Sequence, residues 1–253
     1  MTKYAIFIDI DGTLFDGKTI HPENIRAINE ASRAGHFVFI NTGRGYSFIP
    51  DYILECADFY GVVAGIGAHI VIGGKTVKSV TVDKESLKQV VSVFADTDCA
   101  VRYQGEQHFY YQNNPDPKNG DGVIASKADI DRLYDEMKIS KFTCYNKKPS
   151  AKQLKFLNEN FSVVEYNSSA EMTSKGQNKA VGMLDAARLV GVEPETCIAM
   201  GDSENDIDVL KVAGISVAMG NSPDEIKKIA DFVSTDCQDG GVAHAIDKLV
   251  LKK

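Results

Sequence analysis

The sequence predicts an α/β protein in which a doubly wound parallel core sheet is interrupted by a second, α+β domain. Short apolar runs typical of buried parallel strands alternate with helical patterns in the first and last thirds of the chain. Several of these runs end directly in polar residues. The middle of the chain instead shows strand pairs separated by turn residues, which is typical of an inserted domain.

The first strand carries the first candidate functional residues. The apolar run at residues 5–8 is followed by Asp9 and Asp11. Because side chains alternate along a strand, the two carboxylates project to the same side, at the carboxyl end where open α/β sheets bind ligands. A single Asp-x-Asp more often only begins a solvated loop. A second acidic cluster, at 202–206, favours the functional interpretation.

The next elements bring a threonine to the same edge of the sheet. A helix beginning at Pro22 is followed by an apolar strand at 37–40, and this order predicts a right-handed crossover and a parallel pair. Thr42 therefore arrives beside Asp9. The pattern then predicts a helix over 46–59 and a hairpin that turns at Gly73-Gly74.

The inserted domain is predicted over 83–171, and the Rossmann-like core over 1–82 and 172–253. Asp83 is a good N-cap for the first helix of the insert. Residues 113–122, with two prolines and two glycines, predict a loop. The other predicted elements of the insert are hairpin strands at 100–104 and 108–112, helices at 127–137 and 151–160, and strands at 142–145 and 163–166.

The last third of the chain resumes the alternation of strand and helix. A helix is predicted over 177–190, then strands at 197–200, 215–218 and 232–234 with helices between them and a last helix that ends at Leu249. Lys175 and Lys179 lie near the start of the first of these helices, where the helix dipole disfavours a cation, so an anionic partner is expected. Solvated surface charge is the alternative, and it fits Lys175 better than Lys179.

The carboxylates at the strand ends predict a metal ion. Two ionised carboxylates about 4 Å apart repel by roughly 4 kcal/mol at an effective dielectric constant of about 20. Asp9, Asp11 and Asp202 therefore need a cation if they meet. Oxygen ligands without a nearby cluster of His or Cys favour a hard ion, and with a phosphate ligand Mg²⁺ is expected.

Composition excludes several other classes of protein. A net charge of −7 over 253 residues argues against general nucleic-acid binding, which needs clustered Lys and Arg. The five scattered cysteines fit reduced thiols in the cytoplasm better than a disulfide framework. No apolar stretch has membrane-spanning length, and the first residues lack the pattern of a signal peptide, so a cytoplasmic protein is expected.

Four motifs together resemble those of the haloacid dehalogenase superfamily. They are the Asp9-Ile-Asp11-Gly-Thr-Leu segment, Thr42 at a strand end, Lys179 before a helix, and Gly201-Asp202-Ser-Glu-Asn205-Asp206. The position of a large inserted domain in the middle of the chain is similar to that of the cap in the Cof-type phosphatases, which form subclass IIB and have a C2-type cap. The resemblance covers nearly the whole chain, although for the cap it is one of layout only.

The resemblance implies a role for each matching residue. Asp9 becomes the nucleophile that forms an aspartyl-phosphate, and Asp11 the general acid and base. Thr42 and Lys179 bind the phosphoryl group. The remaining roles are a Mg²⁺ site of Asp9, Asp202 and the backbone carbonyl of Asp11, support from Asn205 and Asp206, and substrate-side contacts from Gly43 and Arg44.

One position departs from the pattern of the branch. Ile66-Gly67-Ala68 stands where Asn-Gly-Ala is common, so a polar contact to the substrate is expected to be missing. Asn221 and the segment 239–243 fit the C-terminal pattern of the branch. Four polar or aromatic residues of the insert are candidates for substrate recognition: Arg102, Tyr103, His108 and Lys147. Ordinary surface exposure or packing in the sheet accounts for them equally well.

The predicted activity is hydrolysis of small phosphorylated metabolites, sugar phosphates first. A phosphomutase of the same superfamily and a non-catalytic sensor of phosphorylated ligands remain alternatives. Asp11 argues against the sensor, because a pure acceptor needs no acid and base two residues after the nucleophile. The sequence predicts neither the particular substrate nor the oligomeric state.

Overall fold

The computed structural model describes residues 2–114 and 120–253. The chain divides into two compact units. The first comprises Met1–Gly43, Pro50–Val77 and Asn178–Lys253, and the second comprises Arg44–Ile49 and Lys78–Gln177. The domain limits derived from the sequence, residues 83 and 171, stay a prediction.

An eight-stranded sheet forms the centre of the first unit. In chain order the strands are β1 (Ala5–Ile8), β2 (Phe37–Asn41), β3 (Gly61–Ala64), β4 (His69–Ile72), β5 (Lys75–Ser79), β12 (Cys197–Gly201), β13 (Ile215–Ala218) and β14 (Phe232–Val233). They lie in the order β14-β13-β12-β1-β2-β3-β4-β5. The six strands from β14 to β3 run parallel to one another, and β4 is antiparallel to β3.

The register of the central strands brings their carboxyl ends together. Ile8 of β1 is paired with Ile40 of β2 on one side and with Met200 of β12 on the other. All four residues of β1 are buried because helices cover both faces of a parallel sheet. The residues that directly follow β1, β2 and β12 therefore meet at one edge of the sheet.

The helices of the first unit follow the strands in the alternation that the sequence predicts. Pro22 is the first residue of α1, where the missing N–H and the fixed φ of proline suit a helix start. The helices are α1 (Pro22–Arg33), α2 (Asp51–Leu54), α6 (Lys179–Leu189), α7 (Ile207–Val212), α8 (Asp224–Ile229) and α9 (Gly241–Ile246), and a π-helical turn follows at Asp247–Leu251.

The second unit is an α+β layer built on a six-stranded sheet. The strands are β6 (Ala100–Gln104), β7 (Phe109–Gln112), β8 (Gly122–Val123), β9 (Lys141–Tyr145), β10 (Phe161–Glu165) and β11 (Ala170–Ser174). Their order in the sheet is β10-β11-β9-β6-β7-β8, and all neighbours are antiparallel except β7 and β8. The helices are α3 (Lys84–Val93), α4 (Lys127–Met137) and α5 (Ala151–Asn160).

The predicted fold class is confirmed, whereas three local predictions differ from the structure. The helix predicted over 46–59 is wrong, because only a 3₁₀ turn at Tyr46–Phe48 and the short α2 form there. Pro50 keeps the preceding Ile49 extended, which ends any helix before it. The strand β11 was missed because its alternation mixes Ala and Met with Glu, Thr and Ser.

The third difference concerns the loop predicted over 113–122. The short strand β8 begins at Gly122, the last residue of the predicted loop, and pairs with β7. Residues 115–119 of that predicted loop lie outside the described residues. Asp83 caps α3 as the sequence predicts, since its Oδ1 accepts a hydrogen bond from the Ser86 N–H at 2.9 Å.

Two findings concern the predicted location of the protein. Across 2–114 and 120–253, the structure contains no helix that combines the length and apolar character needed to cross a bilayer. All five cysteines are free thiols, four of them buried.

The helix α6 lies very close to the turn between β3 and β4. A Cβ atom on Gly182 would lie 2.5 Å from Gly67 Cα and 2.6 Å from Val63 Cγ1. Gly67 has a φ of +86°, which glycine adopts without strain. Both glycines therefore permit the contact that fixes the start of α6 over the sheet.

We expect Gly182→Ala to lower the free energy of unfolding by about 1–3 kcal/mol, the usual cost of overpacking a core. An alanine inside a helix normally stabilises it by about 1 kcal/mol relative to glycine, so the sign itself is informative. Urea denaturation followed by circular dichroism measures the change. Arg188→Ala on the same helix is the control, because the Arg188 side chain is 80% exposed and its loss should change stability by less than about 0.5 kcal/mol. Equal or increased stability of Gly182→Ala would contradict the close packing.

Candidate active site

The carboxylate of Asp9 lies at the buried end of β1. The Asp9 N–H donates to the Met200 carbonyl of β12 at 3.0 Å, which extends the pairing of the two strands by one residue. Only 4% of Asp9 is exposed. The chain then turns sharply, and the Leu14 N–H donates back to the Asp9 carbonyl at 3.2 Å. The nucleophile predicted from the sequence is thus held rigidly by the sheet and the turn.

This turn brings the first acidic motif against the second. Gly12 has a φ of +78°, and a Cβ atom there would lie 2.3 Å from the Asp202 carboxylate. Thr13 donates through Oγ1 to Asp202 Oδ1 at 3.2 Å. A side chain at position 12 would occupy the place of Asp202, so the glycine is required for the two motifs to meet.

Lys179 lies between two carboxylates. Its Nζ is 2.9 Å from Asp9 Oδ1 and 2.7 Å from Asp206 Oδ1, and its side chain has no exposed surface. It also donates to Asn205 Oδ1 at 3.1 Å. Lys179 is the first residue of α6, whose N-cap is Asn178. The two carboxylates supply the anionic partners that offset the unfavourable position of a cation at a helix start.

The turn after β12 is shaped by Asp206. Its Oδ2 accepts hydrogen bonds from the Asp202 N–H at 3.1 Å and the Ser203 N–H at 3.2 Å. A Cβ atom on Gly201 would lie 2.3 Å from the Asp206 carboxyl carbon. Both oxygens of Asp206 are therefore engaged, one by Lys179 and the other by the backbone, which fits the predicted supporting role.

Burial dominates the electrostatics of the site. Burial raises the pKa of Asp9, the adjacent Lys179 lowers it, and Asp206 and Asp202 raise it; the net result is a pKa of about 8. Burial and the neighbouring Asp206 raise the pKa of Asp202 to about 6. For Lys179, burial favours the neutral amine, but Asp206 and Asp9 together outweigh it and raise the pKa above its ordinary value. The ammonium is charged, and the carboxylates need more positive charge than it provides.

The donor set fits a hard divalent cation. Asp9, Asp202 and Asp206 each offer a carboxylate oxygen, and these oxygens lie within 4.8 Å of one another. Because both oxygens of Asp206 already accept hydrogen bonds, Asp9 and Asp202 are the members best able to bind an ion. Oxygen-only ligands suit hard cations such as Mg²⁺. Asp11, the third predicted ligand, is exposed in the turn that follows β1.

The other predicted site residues lie after β2. Thr42 is buried, its N–H donates to the Val63 carbonyl at 2.8 Å, and its carbonyl accepts from the Ile66 N–H at 3.2 Å. Gly43, the last residue of this segment of the first unit, is half-buried. Arg44 begins the segment Arg44–Ile49 of the second unit. Lys175, the auxiliary candidate, instead donates to the Asn158 carbonyl at 2.7 Å within the second unit.

Several supporting residues were missed as parts of the site. Asn221 donates through Nδ2 to the Gly12 carbonyl at 2.9 Å and accepts the Cys237 N–H at 2.8 Å, which ties the first motif to the C-terminal segment. Asn41 donates to the Lys179 carbonyl at 3.3 Å. Thr13 forms its bond to Asp202 from within the first motif. The position of Asn41 directly before Thr42 was the available signal, but an amide at a strand end is too common to be informative alone.

Ile66, the departure noted from the sequence, occupies a strained conformation. Its φ is +54°, in the left-handed region that Asn tolerates and a β-branched side chain rarely adopts. The flanking Gly65 and Gly67 also have positive φ. The side chain of Ile66 is buried, so apolar burial offsets the strain.

Comparison with known proteins agrees with the motifs. The family model for haloacid dehalogenase-like hydrolases matches residues 6–246. A 5-amino-6-(5-phospho-D-ribitylamino)uracil phosphatase of Bacillus subtilis, YitU, is 28% identical over 95% of each chain. A phosphoglycolate phosphatase of Methanobrevibacter smithii is 29% identical over 98% of each chain.

A solved structure shares the fold. A sugar phosphatase of haloacid dehalogenase subclass IIB superposes with a TM-score of 0.82 over 98% of each chain at 23% identity. The family match covers nearly the whole chain, and the strands, turn and helix that carry the four motifs are those described above. The chain belongs to the haloacid dehalogenase-like hydrolases, as its motifs predict.

Proposed function

We propose that the protein is a Mg²⁺-dependent phosphomonoester hydrolase that acts on small phosphorylated metabolites, sugar phosphates first, through an aspartyl-phosphate. The observation that carries the proposal is the ion pair of the buried Asp9 with Lys179 beside Asp202. A buried carboxylate next to a fixed ammonium is oriented for attack on an anionic phosphoryl group, whose charge the ammonium offsets. The phosphatase names of the relatives support the same reaction class.

In the first step, an Asp9 carboxylate oxygen attacks phosphorus in line with the leaving oxygen. The new bond joins Asp9 to phosphorus, and the bond between phosphorus and the alcohol oxygen breaks. Asp11 donates its proton to the departing alkoxide, and its exposed position lets it reach the solvent side of the site. Lys179 and Thr42 bind the phosphoryl oxygens throughout.

In the second step, water hydrolyses the aspartyl-phosphate. Asp11, now ionised, accepts a proton from water while the water oxygen attacks phosphorus and Asp9 leaves as a carboxylate. Asp206 keeps Lys179 in place during both steps, because its Oδ1 lies 2.7 Å from Lys179 Nζ. The same residue, Asp11, thus serves as acid and then as base.

Asp9 and Asp202 would hold the Mg²⁺ ion, with the backbone carbonyl of Asp11 as the third protein ligand. When bound, Mg²⁺ supplies positive charge next to the phosphoryl oxygens and offsets the repulsion among the carboxylates. Gly43, Arg44 and Asn205 are proposed to contact the substrate. The free thiols support the proposal that the protein acts in the cytoplasm.

Hydrolysis of para-nitrophenyl phosphate should depend on Mg²⁺. Excess EDTA is expected to lower kcat/KM by about 100-fold or more, because a metal contributes several kcal/mol to charge stabilisation in such reactions. Added Mg²⁺ should restore the rate, and EDTA already saturated with Mg²⁺ is the control. Turnover that persists at full rate in the chelator would contradict the metal assignment.

Asp11→Asn should lower the rate of hydrolysis most for substrates with poor leaving groups. The expected loss in kcat/KM is about 100- to 10,000-fold for an alkyl phosphate, the usual contribution of a general acid. The loss should be clearly smaller for para-nitrophenyl phosphate, whose leaving group needs no proton.

Asp16→Asn is the matched control for this variant. Asp16 is another exposed carboxylate of the same loop, and its Oδ1 accepts hydrogen bonds from the Lys18 and Thr19 N–H groups, an interaction that an asparagine oxygen retains. Its rates should stay within about threefold of the unmodified enzyme, in keeping with the small effects of conservative surface changes. If Asp11→Asn reduced both substrates equally, another residue would be the acid.

A further inference from the structure

The turn that follows β13 lies next to the turn that carries Asp202. Ala218, the last residue of β13, is paired with Gly201 of β12, and the Met219 N–H donates to the Gly201 carbonyl at 3.1 Å. Asp202 follows Gly201 directly. The residues after β13 therefore lie beside the candidate metal ligand, and all of them belong to the first unit.

Asn221, in the turn after β13, connects two backbone segments through its side-chain amide. Its Nδ2 donates to the Gly12 carbonyl at 2.9 Å, and its Oδ1 accepts from the Cys237 N–H at 2.8 Å. One partner is an acceptor and the other a donor, so a single orientation of the amide satisfies both. The first motif is thereby joined to the segment that follows β14.

The turn that carries Asn221 is itself firmly held. The Ser222 N–H donates to the Met219 carbonyl at 3.0 Å, and the Gly220 N–H donates to the Thr235 carbonyl at 3.0 Å. A Cβ atom on Gly220 would lie 2.3 Å from Asp236 Oδ1, so this turn packs closely on the segment that follows β14. The amide of Asn221 therefore extends from a fixed support.

The hydrogen bond from Asn221 fixes one of the two peptide groups that flank Gly12. The other, between Asp11 and Gly12, is fixed by the Gly12 N–H, which donates to the Phe15 carbonyl at 2.9 Å. That second peptide group contains the carbonyl of Asp11, the proposed third protein ligand of Mg²⁺. Because each peptide group is planar, the two hydrogen bonds together set the direction of the Asp11 carbonyl.

The same turn restrains the carboxylate of Asp202. A Cβ atom on Gly12 would lie 2.3 Å from Asp202 Oδ2, so the backbone of Gly12 lies against this carboxylate. Thr13 donates through Oγ1 to Asp202 Oδ1 at 3.2 Å. Glycine has more conformational freedom to lose than any other residue. A hydrogen bond from outside the turn, such as that of Asn221, therefore helps to keep Gly12 and Thr13 in place.

We propose that Asn221 is a positioning residue for the Mg²⁺ site. Its hydrogen bond to Gly12 holds the Asp11 carbonyl and the Asp202 carboxylate in the arrangement that binds the ion. The proposal rests on the proposed function, which assigns these two groups as metal ligands. Asn221 acts through Gly12 and does not itself bind the ion.

Binding of Mn²⁺ tests the proposal without a substrate. Mn²⁺ takes the same oxygen ligands as Mg²⁺, and electron paramagnetic resonance measures the concentration of the free ion. Asn221→Ala should raise the Kd for Mn²⁺ about 10-fold, the low end of the usual effect of residues that orient metal ligands. Because Asn221 is exposed, its truncation leaves no buried cavity, and circular dichroism should show an unchanged fold.

The Mg²⁺ dependence of para-nitrophenyl phosphate turnover is the second readout. In Asn221→Ala, the Mg²⁺ concentration that gives half the maximal rate should rise about 10-fold. At saturating Mg²⁺, kcat should return to within about threefold of the value for the unmodified protein, because the reacting groups are unchanged. A merely structural role would lower kcat through loss of folded enzyme and leave the half-maximal Mg²⁺ concentration unchanged, which would overturn the proposal.

Asn24→Ala is the matched control. Asn24, a buried residue of α1, accepts through Oδ1 from the Ala243 N–H of α9 at 2.9 Å. It is thus another asparagine that joins an N-terminal element to the C-terminal segment of the first unit, but it lies outside the four motifs. Its loss should lower stability and leave the Kd for Mn²⁺ unchanged. An equal rise in Kd for both variants would indicate a general effect of lower stability and overturn the proposal.

Failure of the proposed function would look different. In that case the unmodified protein binds Mn²⁺ but hydrolyses no phosphomonoester, and the Kd of Asn221→Ala alone decides the positioning role. An unchanged Kd together with Mg²⁺-dependent hydrolysis overturns the positioning role and leaves the proposed function in place. Neither Mn²⁺ binding nor Mg²⁺-dependent turnover by the unmodified protein would overturn both.

Discussion

The ion pairs of Lys179 with Asp9 and Asp206 are the interaction on which the rest of the site depends. They join three elements that are far apart in sequence: the end of β1, the start of α6 and the turn after β12. A buried charge is tolerated only when it is paired and hydrogen-bonded. The close packing of α6 on the β3–β4 turn, which Gly67 and Gly182 permit, keeps the ammonium in reach of both carboxylates.

The single ammonium of Lys179 does not offset the negative charge of Asp9, Asp202 and Asp206. This excess of negative charge affects both the stability of the fold and the proposed reaction. The pKa of Asp9 is raised to about 8 in the folded protein, above its value of about 3.9 in an unfolded chain. In the absence of a bound cation, the free energy of unfolding therefore falls as the pH rises from about 4 to about 8, because the unfolded chain loses this proton first. The proposed attack on phosphorus needs this carboxylate ionised, so a cation at Asp202 would both stabilise the fold and favour the proposed nucleophile.

Much of the core and of the candidate site could be predicted because strand ends, helix starts and their polar residues are local patterns. Asp9, Lys179 and Asp202 fall where the alternation of strand and helix places them. The contact of Gly12 with Asp202 and the bond from Asn221 to Gly12 could not be predicted, since they depend on register between distant segments. In the second unit, strand β11 could not be predicted, because its sequence mixes apolar and polar residues.

The proposed mechanism requires that Asp9 becomes phosphorylated during turnover. The most direct measurement uses Asp11→Asn, which lacks the base for the second step, mixed with para-nitrophenyl phosphate and Mg²⁺ and quenched in acid. Peptide mass spectrometry should then find a phosphoryl group on Asp9. A phosphoryl group on another side chain, or full turnover by Asp9→Asn, would contradict the role of Asp9 as the nucleophile.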